Sequence, residues 1–152
     1  MNISVLGKSD NISREETVQV IEFFGSILLP KKIYNNIDVS IHVNNMKRSQ
    51  VKNCHAFCEI ILIDCYFIAV DKHSDYETII QHLAHEMMHV QQYSTGKLID
   101  SDTKTKNRTW WRNRYVDWSK VPYLKLPWEI DANKNEIILA ELYHFEFGDN
   151  DV

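Results

Sequence analysis

The stretch of sequence that decides the fold runs from Ile79 to Val90 and reads IIQHLAHEMMHV. Its apolar residues recur at spacings of three and four, which is typical of a helix. They cover most of the circumference, so the sequence predicts a helix at the centre of the fold. Asp75 can cap its first turn and Gly96 can end it, which gives a helix that continues to about Tyr93.

The same helix carries two histidines and a glutamate in the spacing H-E-x-x-H. His85 and His89 lie four residues apart, so their imidazoles project from one face and can both reach one metal ion. Glu86 lies on nearly the same face, and its carboxylate can approach a metal-bound water without binding the metal itself. This arrangement is found in zinc hydrolases. Catalytic zinc usually has three protein ligands and one position for water, so a third ligand must come from another element.

A later segment supplies the best candidate for that ligand. Residues 126–129, which read LPWE, predict the start of a last helix because proline is favoured in the first turn. Glu129 lies at this start, and Asn133 and then Glu136 follow it along the helix. Asp131 lies about 200° further round the helix, so it cannot face the metal together with Glu129.

The last helix has two stripes of residues and ends at Phe147 and Gly148. One stripe contains Ile130, Ile137, Ile138, Leu142 and Phe145. The other stripe contains Glu129, Ala132, Asn133, Glu136, Ala140 and Tyr143.

Three further segments have interpretable patterns. Ser13 and Glu16 form a capping box for a first helix that stops at Pro30. Residues 37–43 alternate between apolar and polar, which predicts a half-buried strand. Residues 55–70 are long enough for two strands with a turn near Asp64 or Cys65. Residues 100–127 have no steady period, and the sequence predicts a long irregular segment near the motif.

Length and composition limit the class of protein. The chain has 152 residues, a formal net charge of −4 and three cysteines. Its length predicts a single domain, residues 1–152. The charge argues against bulk binding to nucleic acid or to an anionic membrane. No signal peptide is evident, and no apolar run approaches the roughly eighteen residues of a membrane span. The odd number of cysteines suits a reducing compartment, so we expect the protein to act in a cytoplasm.

Two segments, residues 83–92 (LAHEMMHVQQ) and 126–132 (LPWEIDA), resemble the small zincin-type metallopeptidases of phages and bacteria, and more broadly the gluzincins. The resemblance implies an α+β fold in which a short mixed or antiparallel sheet packs on the central motif helix, with N- and C-terminal helices beside it. It also implies action in the cytoplasm of a bacterial or phage-infected cell.

The resemblance further implies roles for individual residues. His85, His89 and Glu129 would bind Zn²⁺, and Glu86 would be the general base. The larger gluzincins commonly place an aspartate four residues after the glutamate ligand to orient a ligand histidine. Here that position holds Asn133.

The sequence therefore predicts a zinc-dependent peptidase that acts on a peptide or protein substrate. Zinc lowers the pKa of its bound water to about 7, and a further group must stabilise the oxyanion. Residues that could supply that donor are Tyr115, Tyr123, Arg112 and Arg114. An extended substrate could pair with a free strand edge near residues 66–70.

A binding or regulatory module with the zincin fold and little turnover is the alternative. A nucleic-acid-associated protease lies between the two, because residues 104–114 interleave basic side chains with Trp110 and Trp111. We favour a solvated loop for that segment because the chain as a whole is acidic. Residues 54–58 (CHAFC) with Cys65 resemble part of a second zinc site, but reduced cysteines are the better interpretation. His82, one turn before the motif, is expected to pack rather than to function.

Overall fold

The computed structural model describes residues 1–46, 55–100 and 108–148. Its larger sheet contains the strands β1 (Asn2–Gly7), β2 (Asp38–Asn44), β3 (Ala56–Leu62) and β4 (Cys65–Asp71). The strands lie in the order β1-β2-β4-β3. The first three are parallel, and β3 runs antiparallel to β4. The predicted strand within residues 37–43 and the predicted pair within residues 55–70 are confirmed.

Four helices accompany the sheet: α1 (Arg14–Leu28), α2 (Lys31–Tyr34), α3 (Tyr76–Ser94) and α4 (Pro127–Phe147). The main core contains residues of α1, α3 and α4 together with one face of β2 and β4. The predicted α+β class is therefore confirmed. Of the helices in the described residues, none is both long and apolar enough to cross a membrane.

The signals at the helix ends act as expected. The Ser13 hydroxyl accepts from the Glu16 amide at 3.1 Å, and the Glu16 carboxylate accepts from the Ser13 amide at 3.0 Å, which completes the capping box of α1. Asp75 accepts from the Thr78 amide at 2.8 Å and caps α3. Gly96 adopts φ +71° just after α3, a backbone conformation that glycine takes without strain.

Helix α3 lies at the centre of the core, as predicted. Residues on several sides of it are fully buried: Ile79, Ile80, Leu83, Ala84, Met87 and Val90. The helix packs against α1, α4, β3 and β4. The histidine motif is thus carried on an element held by packing on all of these sides.

The prediction of an irregular segment over residues 100–127 is wrong for residues 108–117, which form two strands and a tight turn, and it agrees with residues 118–126; residues 101–107 lie outside the described residues. A small antiparallel sheet contains β5 (Leu98–Asp100), β6 (Arg108–Trp111) and β7 (Arg114–Asp117). Arg112 and Asn113 form the tight turn with φ +46° and +64°. Short 3-10 turns follow at Trp118–Lys120 and Tyr123–Lys125.

The small sheet packs on the beginning of α4. Leu98 and Trp111 are buried together with Leu126 and Trp128 in a second apolar cluster. Trp110 projects to the other face and is partly exposed. This packing fixes the start of α4, where Glu129 lies.

The expectation of a free strand edge near residues 66–70 is also wrong. Those residues belong to β4, which is paired on one side with β2 and on the other with β3. Among the described strands, the outer positions of the sheet are occupied by β1 and β3. Residues 66–70 do not form an edge because β3 folds back and pairs antiparallel with β4 on the side away from β2.

Candidate metal centre

The structure brings together the three residues that the sequence nominated as metal ligands. His85 Nε2 lies 3.3 Å from Glu129 Oε2, and His89 Nε2 lies 3.4 Å from Glu129 Oε1. The two Nε2 atoms are 3.1 Å apart. One ligand atom from each residue lies within 4.8 Å of the others, so the cluster could hold one metal ion. It is the one such cluster found in the described residues.

A carboxylate fixes the orientation of His85. Its Nδ1 lies 2.6 Å from Glu136 Oε2, and Glu136 Oε1 accepts from Gln81 Nε2 at 2.7 Å. With the Nδ1 proton donated to Glu136, the lone pair of Nε2 points to the cluster, which is the usual tautomer of a metal-bound histidine.

An amide fixes His89 in the same manner. Its Nδ1 lies 2.9 Å from the Oε1 atom of Gln92, a fully buried side chain. Gln92 Nε2 donates to the Trp128 carbonyl and to Asp131 Oδ2, both at 3.0 Å. Asp131 therefore contacts the residue that orients a histidine rather than the cluster, as the helical geometry predicted.

Sequence reasoning missed these roles of Glu136 and Gln92. It looked for the orienting group at Asn133, four residues after Glu129. Glu136 lies seven residues after Glu129, which is about two turns and returns to the same face of α4. The available signal was therefore a carboxylate on that face one turn beyond the expected position.

The charges around the cluster suit a cation. Burial raises the pKa of Glu129, but the facing imidazoles of His85 and His89 outweigh burial and lower it to about 2. Burial lowers the pKa of His85, but Glu129 and Glu136 outweigh burial and raise it to about 10. Glu129 Oε2 is buried and makes no hydrogen bond of good geometry. Without a metal ion, the protonated imidazole of His85, 3.3 Å away, compensates the charge of this buried oxygen. A metal ion that replaces the His85 proton would supply the same positive charge, so these residues fit a metal ion.

Glu86 lies beside the cluster and is only 4% exposed. Burial raises its pKa to about 7, even though His89 and His85 oppose the shift. A carboxylate with a pKa near neutrality can both accept and return a proton at physiological pH.

A cleft of about 160 Å³ opens at the cluster. Strand β3 forms one wall, and the start of α4 with the turn before it forms another. The lining residues are Ala56, Phe57, Cys58, Glu86, His89, Tyr93, Leu98, Tyr123, Trp128 and Glu129. The cleft therefore gives access to two members of the cluster, His89 and Glu129, and to Glu86.

Only one of the four candidate oxyanion donors lines this cleft. Tyr123 does so, and its side chain hydrogen-bonds Glu129. Tyr115 packs against Trp110 with ring centroids 5.2 Å apart. Arg112 lies over Trp111 and forms a 3.5 Å ion pair with Asp131. Arg114, at the start of β7, is absent from the lining of the cleft in the described residues.

The cysteines do not form a second metal cluster in the described residues, and Cys54 lies outside them. Cys58 and Cys65 are free thiols, in agreement with the reduced state that the sequence favoured. Burial raises the pKa of Cys58, so it stays a neutral thiol in the cleft. His82 stacks on His55 with ring centroids 6.2 Å apart, in agreement with a packing role.

Comparison of the chain with family models, curated proteins and solved structures finds no match.

Glu136→Ala should weaken metal binding about tenfold to a hundredfold, because His85 loses the acceptor that fixes its ring. Glu136→Gln keeps a carbonyl oxygen for Nδ1 and should lose less. The measurement is competition with a chelator of known affinity. Asn133→Ala is the matched control on the same helix and should bind as the wild type does. A larger loss for Asn133→Ala would contradict the assignment of Glu136.

Proposed function

We propose that this chain is a zinc-dependent peptidase of the zincin type, in which Glu86 is the general base. One observation carries the proposal: His85, His89 and Glu129 form one cluster, and His89, Glu129 and the buried Glu86 line a cleft beside it. Two histidine nitrogens and one carboxylate are a typical set of protein ligands for catalytic zinc. Such a set leaves the fourth coordination position open for water. As part of the same proposal, we assign the α+β fold to the zincin type and its action to a cytoplasm.

The chemistry follows from the side chains in the cleft. A bound zinc ion would supply a Lewis acid and lower the pKa of a water molecule to about 7. Glu86 accepts the proton of the attacking water and later returns it to the leaving amine. Tyr123 turns its hydroxyl from Glu129 to the substrate carbonyl oxygen as that oxygen gains charge. This donor role requires only a rotation of a side chain that is 63% exposed.

A peptide substrate fits the position of β3. Residues Ala56 to Cys58 line the cleft, and no described strand pairs with the outer side of β3. An extended peptide that pairs with this edge would pass over the cluster and present its backbone carbonyl. Binding through main-chain hydrogen bonds gives affinity with little sequence selectivity.

The alternative is a binding or regulatory module with the same fold and little turnover. The small volume of the cleft, about 160 Å³, favours it. The position of Glu86 favours the enzyme, because a module that only binds metal does not need a carboxylate buried beside the ligands. A nucleic-acid-associated module has less support, since Trp111 is buried and Arg112 is paired with Asp131.

The experiment is metal analysis followed by a cleavage assay on an unfolded protein substrate. We expect one zinc ion per chain, cleavage that stops with a chelator, and recovery when zinc is added back. His89→Ala is the control and should lose both metal and cleavage. Stoichiometric zinc without cleavage would favour the binding module. A wild-type chain without zinc would overturn both candidates.

A further inference from the structure

Helix α4 presents to solvent the stripe that contains Ile130 and Phe145. The stripe that contains Glu129 and Glu136 faces α3, and Ala132, Leu139 and Tyr143 on that side belong to the core. On the opposite side, five large apolar residues are exposed: Ile130 (52%), Ile137 (53%), Ile138 (49%), Leu142 (43%) and Phe145 (78%). We call these five residues, with Lys134 and Glu141 between them, the outer face of α4.

The outer face has the size of a protein interface. Taking roughly 200 Å² for a fully exposed large side chain, its five apolar residues expose on the order of 550 Å². The stems of Lys134 and Glu141 add to this area. The total approaches the roughly 800 Å² that each partner buries in a stable complex. Exposed apolar patches of this extent are often functional.

The spacing of the outer face is that of a helix-pairing seam. Ile130, Lys134, Ile137 and Glu141 follow one another at intervals of four, three and four residues, as in a coiled coil. A charged residue within such a seam fixes the register and the orientation of the partner helix. Neither Lys134 nor Glu141 forms a salt bridge among the described residues, so both charges are available to a partner.

The sequence of the outer face is complementary to itself in one orientation. A second α4 can run antiparallel with a twofold axis between residues 137 and 138. Lys134 then faces Glu141 of the second copy, Ile137 faces Ile138, and Ile130 faces Phe145. The twofold axis makes each of these contacts twice. Parallel pairing in register would instead place Lys134 against Lys134 and Glu141 against Glu141, which costs free energy.

We propose that the chain forms an antiparallel homodimer through the outer face of α4, with Lys134 and Glu141 of the two copies paired. The partner is a second copy rather than another protein because the apolar positions and the charges match at the same register. The metal centre lies on the opposite side of α4, so the dimer leaves the cleft open. The proposal does not depend on the peptidase activity.

The test is the dimer dissociation constant, measured by sedimentation equilibrium. We expect the wild type to be dimeric at roughly 100 µM and above. Lys134→Glu and Glu141→Lys should each weaken the dimer at least about tenfold, because like charges then face each other at two places. An equimolar mixture of the two variants should recover a heterodimer of wild-type strength, since every facing pair is again of opposite charge. This recovery also shows that each variant is folded.

The double variant, Lys134→Glu with Glu141→Lys, should likewise dimerise as the wild type does. The control is Ile63→Glu, which adds charge at a residue that is 91% exposed on the turn between β3 and β4. It should leave the dimer unchanged. A monomeric wild type, single reversals without effect, a mixture that stays monomeric, or dissociation by Ile63→Glu would each overturn the proposal.

Discussion

Glu86→Gln is expected to slow the proposed peptide hydrolysis strongly while zinc binding is retained. The amide has the shape of the carboxylate but cannot accept a proton at neutral pH. General-base catalysis contributes about a hundredfold to ten-thousandfold to the rate, so we expect a loss of that size. Glu86 is outside the ligand cluster, so the metal content should stay at one ion per chain.

The measurement combines single-turnover cleavage of an unfolded protein with metal analysis of the same sample. Glu22→Gln is the matched control, because Glu22 lies on the exposed side of α1. The control should cleave at the wild-type rate. Wild-type turnover in Glu86→Gln would remove the general-base assignment, and loss of zinc would make Glu86 a ligand instead.

Glu129→Ala should weaken zinc binding by at least about tenfold, and far more than Asp131→Ala does. The Glu129 carboxylate faces both candidate ligand histidines at 3.3 and 3.4 Å, so its removal would leave only two candidate ligands in the cluster. Asp131 contacts Gln92, which keeps its second hydrogen bond to the Trp128 carbonyl when Asp131 is absent. The loss in Asp131→Ala should therefore be small.

Competition with a chelator gives both affinities on one scale. The two variants are matched, because each removes one carboxylate from the first turns of the same helix. His85→Ala and His89→Ala give the lower limit of zinc affinity on this scale, since either should abolish stoichiometric zinc. A larger loss for Asp131→Ala than for Glu129→Ala would make the aspartate the third ligand.

The candidate site was predictable because its parts lie in local sequence patterns. The spacing of His85 and His89 on a helix fixes their common face whatever surrounds the helix. Pro127 marks the start of α4, and Glu129 follows it at once. The orienting partners Gln92 and Glu136 were not predictable in this way. Their contacts depend on how α4 packs against α3, and the local pattern of apolar and polar residues does not determine that packing.

The fold was predictable where one periodicity extends over a long segment. Helix α3 is such a case, whereas the start of α1 was predictable from its capping residues, Ser13 and Glu16. The small sheet was missed because its strands have three or four residues, and Trp110 and Trp111 place large side chains on both faces. Its turn at Arg112 and Asn113 also lacks the glycine that usually indicates a tight hairpin. The first strand, β1, was missed because its alternation of polar and apolar residues covers only Asn2 to Val5 before Leu6 and Gly7 break it.

Strand β3 has a consequence for the handling of this protein. Beyond the cleft, its end and the following turn expose Ile60, Ile61, Leu62 and Ile63, at 44%, 58%, 68% and 91%. An apolar strand at an open sheet edge is a template for aggregation, because any extended chain can add to it. Glu59 and Asp64 flank this run, and charges at such positions oppose stacking of identical chains. Replacing both residues by the neutral amides, Glu59→Gln with Asp64→Asn, should therefore lower the solubility of the protein.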